Sequence, residues 1–151
     1  DVCSSDLAVP PSFHRAHLCM KKMNNQNLIN YTLHLADNAL VTGQRFSEWC
    51  GHGPVLEQDI ALTNSALDLV GQARYFYQYA ASIISGETDE DKLAFLRNNR
   101  EYKNCLLVEQ PNGDWAQTVL KLFFFSSFQF YLFEKLMKSK DTQLAAIAEK
   151  S

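Results

Sequence analysis

Arg45 to Arg74, RFSEWCGHGPVLEQDIALTNSALDLVGQAR, is the stretch that decides the fold. Its first third closes a helix: Phe46 and Trp49 continue an apolar stripe, and Gly51-His52-Gly53-Pro54 cannot carry it further. Pro54 suits the first turn of a second helix, since its φ is fixed and its missing N–H costs nothing there. Glu57 and Asp59 follow, near the positive end of that helix's dipole. From Leu62 onward, Ala66, Leu69, Ala73, Phe76, Ala80 and Ile83 recur at three- and four-residue steps as far as Gly86, a candidate C-terminal glycine. Two long helices joined by so short a turn predict an antiparallel pair.

Upstream, Ile29, Leu33, Ala36, Leu40 and Gly43 form one stripe, and Leu28, Leu35, Ala39, Thr42, Phe46 and Trp49 form its neighbour. Together they are too wide for a helix lying on a surface. Asn30, His34, Asp37, Asn38 and Arg45 are expected on the remaining, polar side. Downstream, the acidic run Glu87–Asp91 reads as a connector into a short helix from Asp91 to Tyr102. Glu109-Gln110-Pro111-Asn112-Gly113 is a turn, and Asp114 caps a third long helix from Trp115 to Lys138. The centre of that helix, Phe123 to Phe133, is aromatic on nearly every side and is expected to be buried in a bundle or against another chain. Asp141-Thr142 opens a last helix of about two and a half turns. The pattern predicts an all-α antiparallel helix bundle, truncated at its C-terminus with one bundle helix missing.

Composition excludes several roles. Hydrophobic residues make up 46% of the 151, with ten Phe and six Tyr, which suits a packed core rather than disorder. The net charge is −3 and no basic run exceeds Lys21-Lys22, so a nucleic-acid partner is not expected. The apolar run Val119–Phe133 is shorter than the ~20 residues a span needs and contains Lys121, Ser126, Ser127 and Gln129, so no membrane association is expected. Cys3, Cys19, Cys50 and Cys105 form no CxxC pair, which favours free thiols in a reducing, cytoplasmic compartment. Asp1–Leu7, DVCSSDL, reads as the translation of a sequencing adapter, and Ala8–Cys19 shows no helical or strand period. Residues 1–23 are therefore expected to lie outside the fold, with the domain at 24–151. On that view Cys3, Cys19, His14 and His17 carry no function.

A carboxylate-bridged di-iron site takes a Glu from each of two helices and Glu-x-x-His from two others, because i and i+3 share one helix face. No acidic residue of this chain has a His three positions on. The second helix carries Asp68-Leu69-Val70-Gly71 instead, a shortened carboxylate with glycine where the imidazole would stand. Glu48 and His52 are four apart, but the glycine turn falls between them, which favours a helix-end cap or interface contact over a metal. No catalytic residue and no metal ligand is expected. The polar row Asn64, Asp68 and Gln72 is either a solvent-facing strip or part of an internal charge network. In the network, Arg45 or Arg74 would neutralise Asp68, as burial of a charge requires. Glu48, Trp49 and His52 complete that set of network or interface candidates.

LADNAL at 35–40, GQRFSEWCGHGP at 43–54, LEQDIALTNSALDLVGQAR at 56–74 and DEDKLAFLRNNREYKNCLLVEQPNGDWA at 89–116 occur in one order with fixed turn spacings. In these motifs the chain resembles the structural, non-catalytic subunits of bacterial phenylacetyl-CoA 1,2-epoxidase. That resemblance implies a ferritin-like fold and a place in an NADPH- and O2-dependent multicomponent monooxygenase of aerobic phenylacetate breakdown. It also implies no cofactor in this chain. The di-iron centre would belong to a catalytic partner subunit, with which this chain and the other members of the complex would assemble. Two rivals remain: a ferritin-like di-iron enzyme whose other ligands lie in a missing C-terminal segment, and an unrelated helical structural protein.

Overall fold

The computed structural model describes the backbone of residues 11–151 except 85 and 87, and the side chains of residues 25–151 except the same two. Among the described residues there is no strand. The helices are α1 (Pro11–Ser47), α2 (Leu56–Ile83), α3 (Glu90–Phe95), α4 (Leu106–Glu109), α5 (Trp115–Leu136) and α6 (Thr142–Lys150), with a 3-10 turn at Asn99–Glu101. The all-α expectation holds. α1 starts at Pro11, upstream of the expected Asn24. Ala16, Leu18, Met20, Lys21, Lys22 and Met23 lack an amphipathic period, but extending a helix needs only propensity. Cys3 and the side chains of His14, His17 and Cys19 lie outside the described residues.

α1 and α2 form the expected antiparallel pair, and small residues let them approach closely. Ala36, Ala39, Ala66, Ala73 and Ala80 are buried along the seam. A Cβ at Gly43 would sit 3.0 Å from Val70 Cγ2 and 3.1 Å from the Ala66 carbonyl oxygen. The turn between the helices is pinned by Asp59, whose Oδ2 accepts from the Gly51 amide at 2.9 Å. Gly53 packs so tightly there that a Cβ would lie 2.6 Å from that of Asp59.

Two apolar clusters flank the seam. Leu33, Leu40, Phe76, Tyr77, Leu93, Phe133, Leu136 and Leu144 join α1 and α2 to α3, α5 and α6. Phe46, Leu62, Leu69, Val108 and Phe125 join their other end to α4 and α5.

The segment after α2 departs from expectation. Asp89 caps α3 by accepting from the Lys92 amide at 2.8 Å, but the helix stops at Phe95 rather than Tyr102. Arg97 Nε donates to the Leu93 carbonyl at 2.5 Å, and Glu101 Oε2 accepts from the Asn98 amide at 2.7 Å to start the 3-10 turn. α4 was not legible as a helix. α5 and α6 begin where their Asp caps predict: Asp114 accepts from the Gln117 amide, and Asp141 from those of Gln143 and Leu144.

The aromatic block of α5 is buried on one side only. Phe125 and Phe133 enter the core, whereas Phe123, Phe124, Phe128, Phe130 and Tyr131 remain more than half exposed. A 3.6-residue period cannot turn every side of a helix toward a single layer. Among the described residues no helix is long and apolar enough to cross a membrane.

Candidate functional site

The middle of α1 is apolar on both sides of Asp37, so its carboxylate is carried inside. Asp37 is fully buried and Asn38 nearly so, which corrects their expected place on a polar face. The seam against α2 and the packing of residues 93–108 together leave no solvent side at this turn of the helix. A buried carboxylate must be satisfied. Asp37 Oδ1 accepts from the Tyr77 hydroxyl at 2.6 Å and from Arg97 Nη2. Its Oδ2 accepts from the Lys103 amide at 2.7 Å and from Arg97 Nη1 at 3.2 Å. Four donors thus fill the carboxylate's four lone-pair positions.

The neighbours extend this knot. The Arg97 guanidinium lies 4.4 Å from the Tyr102 ring centroid and 5.6 Å from that of Tyr77, within cation–π range. Tyr102 donates to the Ala94 carbonyl at 2.6 Å. Asn38 Oδ1 accepts from the Cys105 amide at 2.7 Å, and His34 Nδ1 donates to the Lys103 carbonyl. Burial raises the Tyr77 pKa well above the ordinary tyrosine range, and the bond to the Asp37 carboxylate adds to the rise. Burial also works against the Arg97 charge, yet the hydrogen bonds and charge of Asp37 more than offset it, so the guanidinium holds its proton more firmly than usual.

A second polar knot closes the C-terminal end of α1. Arg45 Nη1 and Glu48 Oε1 pair at 2.9 Å. Asn112 Nδ2 donates to Glu48 Oε2 at 2.9 Å and to the Arg45 carbonyl at 2.6 Å. Trp49 Nε1 donates to Thr118 Oγ1 at 2.9 Å, and its ring meets Trp115 edge-on at 5.1 Å between centroids. Beneath them Lys121 Nζ donates to the Gln110 carbonyl at 2.7 Å and the Pro111 carbonyl at 3.2 Å. Burial lowers the Lys121 pKa, and the Arg45 charge lowers it further.

These contacts overturn the charge network centred on Asp68. Asp68 is exposed, and among the described residues it makes no hydrogen bond or ion pair. It stands on the flank of α2 turned away from the buried stripe of Leu62, Ala66, Leu69 and Ala73, so burial never demands a counter-charge. Arg74 pairs instead with Glu90 at 3.6 Å in the open, and Arg45 with Glu48. Gly71 has open space where a Cβ would be. His52 is exposed, with Nδ1 donating to the Cys50 carbonyl at 3.1 Å. The structure therefore brings Arg45, Glu48 and Trp49 together, and leaves Asp68, Gly71, Arg74 and His52 apart from them.

The buried polar groups of both knots are hydrogen-bonded within the chain. Among the described residues, no group of three or more His, Cys, Asp and Glu is placed to hold a metal ion, and every fully buried side-chain nitrogen and oxygen has a partner. Each knot holds separate segments of the chain together. Asp37 was the residue sequence reasoning missed. The available signal was an acidic residue flanked by Leu33, Ala36, Ala39 and Leu40 on a helix with too wide an apolar face. Its partner Arg97, sixty residues on, left no such signal.

A family model described as phenylacetic acid catabolic protein matches residues 13–151. The chain is 55% identical over 124 residues to a subunit of the 1,2-phenylacetyl-CoA epoxidase of Escherichia coli (strain K12), a match covering 82% of this chain and 50% of that protein. The chain thus spans about half the length of this curated relative.

Proposed function

Because the chain belongs to the phenylacetic acid catabolic protein family, we propose that it is part of the structural, non-catalytic subunit of a phenylacetyl-CoA 1,2-epoxidase complex. Its role is to pair with a di-iron catalytic subunit and support the assembly in the cytoplasm, without a cofactor of its own. The observation that carries this reading is the 55% identity to a protein named as one of the subunits of that epoxidase. The residues support it. Asp68 and Gly71 stand where a Glu-x-x-His pair would be needed, and the buried carboxylate of the helix pair is satisfied by a guanidinium, a phenol and an amide. Such a core supplies a scaffold and leaves oxygen chemistry to the partner.

Co-expression of the full-length protein with the catalytic subunit tests the proposal. The two are expected to co-elute at physiological salt, and phenylacetyl-CoA-dependent O2 consumption with the reductase is expected only when both are present. Two irons bound per chain in the full-length protein purified alone would overturn it. So would full turnover by the catalytic subunit without this one.

A further inference from the structure

Between Ala94 and Val108 no side chain is both apolar and buried, although Leu93, Ala94 and Val108 on either side are. This stretch nevertheless lies across α1. Its attachment is largely polar and centres on two adjacent residues of α1, with His34 bonding the Lys103 carbonyl and Cys105 packing on the second apolar cluster. Asp37 takes both terminal nitrogens of Arg97 and the Lys103 amide, and Asn38 takes the Cys105 amide. The segment's own backbone bonds are few, chiefly Glu101 N to Asn98 O at 2.8 Å and Val108 N to Cys105 O at 3.2 Å.

Space opens beside it. A cleft of about 550 Å³ lies between α1 and the segment, lined by Leu40, Gln44, Arg45, Phe95, Tyr102 and Asn104 among others. A smaller one of about 230 Å³ lies between α2 and α3. Both share Leu40, Ala94 and Phe95.

We propose that residues 96–105 form a latch, tied to the α1–α2 pair by Asp37, which opens as one unit and widens the cleft over Leu40 while the helix pair stays folded. Apolar contacts are lost gradually as surfaces separate, but hydrogen bonds converging on one carboxylate are coupled. Once the Arg97 fork leaves, water solvates Asp37 and the Lys103 amide loses its reason to stay. Opening also returns the Arg97 guanidinium to water, so neither charge is stranded in an apolar site. Local opening of this kind, at a cost below that of global unfolding, is expected where buried apolar contacts are sparse.

Amide hydrogen exchange on the whole chain, with Asp37→Asn and Arg97→Lys, tests the latch. The informative amides are Glu101 and Cys105, whose acceptors are Asn98 and Asn38 rather than Asp37. Both variants are expected to speed their exchange at least tenfold and to accelerate tryptic cleavage at Arg100 and Lys103. Amides at Leu40, Ala73 and Phe76 should stay within about twofold of the parent. Unchanged exchange at Glu101 and Cys105 overturns the latch, because the network would then be a set of independent bonds. Equal acceleration in α1 and α2 also overturns it, because the segment would then be part of the global core. If Asp37→Asn does not fold, Arg97→Lys, which keeps the charge and loses the fork, decides alone.

Discussion

At Asp37 a single carboxylate organises contacts from α2, from the loop after α3 and from the approach to α4, so substitutions around it are informative one atom at a time. Tyr77→Phe removes only the hydroxyl that donates to Asp37. It is expected to cost roughly 1.5–3 kcal/mol, the range for a hydrogen bond to a charged group, measured by urea unfolding at pH 8. The same variant changes the alkaline limb. Folded Tyr77 keeps its proton above the ordinary tyrosine value, for which free tyrosine sits near 10. Above about pH 10 the unfolded chain therefore binds fewer protons than the folded one, and stability falls as pH rises. Tyr77's contribution is fully present below about pH 10 and is lost progressively above it, so Tyr77→Phe is expected to flatten the decline. Tyr79, raised by burial and by its bond to Asp141, keeps part of the slope. Asp68→Asn, by contrast, is expected to leave the urea midpoint at pH 8 unchanged. A marked fall would restore the network that its exposure argues against.

Among the elements, the α1–α2 pair depends on close approach and the shorter helices depend on caps. Gly43 meets Val70 and the Ala66 carbonyl, neither of which can retreat without moving α2. Gly43→Leu is expected to destabilise by about 1–3 kcal/mol through overpacking, or more where α2 cannot shift. A thermal midpoint equal to the parent's would show that the seam is looser than described. α6 is held by Asp141, which caps two amides and also accepts from Tyr79 at 2.5 Å. Asp141→Ala is expected to cost about 1 kcal/mol for the cap alone, with faster amide exchange confined to α6. These positions show what sequence pattern can and cannot reach. Asp114 and Asp141 were legible as helix starts because a cap acts within three residues, whereas the Asp89 cap of α3 lay inside what read as a connector. The break after Phe95 was not, because it depends on Arg97 reaching Asp37 across sixty positions.

For the whole molecule, the outer side of α5 governs behaviour in solution. Phe123, Phe124, Phe128, Phe130 and Tyr131 are all more than half exposed along this one helix, with Phe123 against Phe124 and Phe130 against Tyr131, and clustered exposed aromatics favour association. The 151-residue chain is expected to bind a hydrophobic dye and to self-associate at micromolar concentration. Phe124→Lys with Phe130→Lys should lower its mass by light scattering. A strictly monomeric parent would contradict this. In a multi-subunit setting the same surface suits burial, which is consistent with the proposed pairing role.

The sequence by itself determined the helical class, the α1–α2 hairpin and the capped starts of α5 and α6, because periodicity, turn residues and caps act over a few positions. It also determined the absence of Glu-x-x-His, which is a matter of spacing alone, and the motifs that place the chain in its family. Tertiary structure decided which polar residues are buried. Asp37 and Asp68 are the same residue type on neighbouring helices. One is enclosed where a third segment crosses the pair and the other is left on an open flank. Burial, and with it the need for a counter-charge, is a property of how segments pack, and no local pattern contains it.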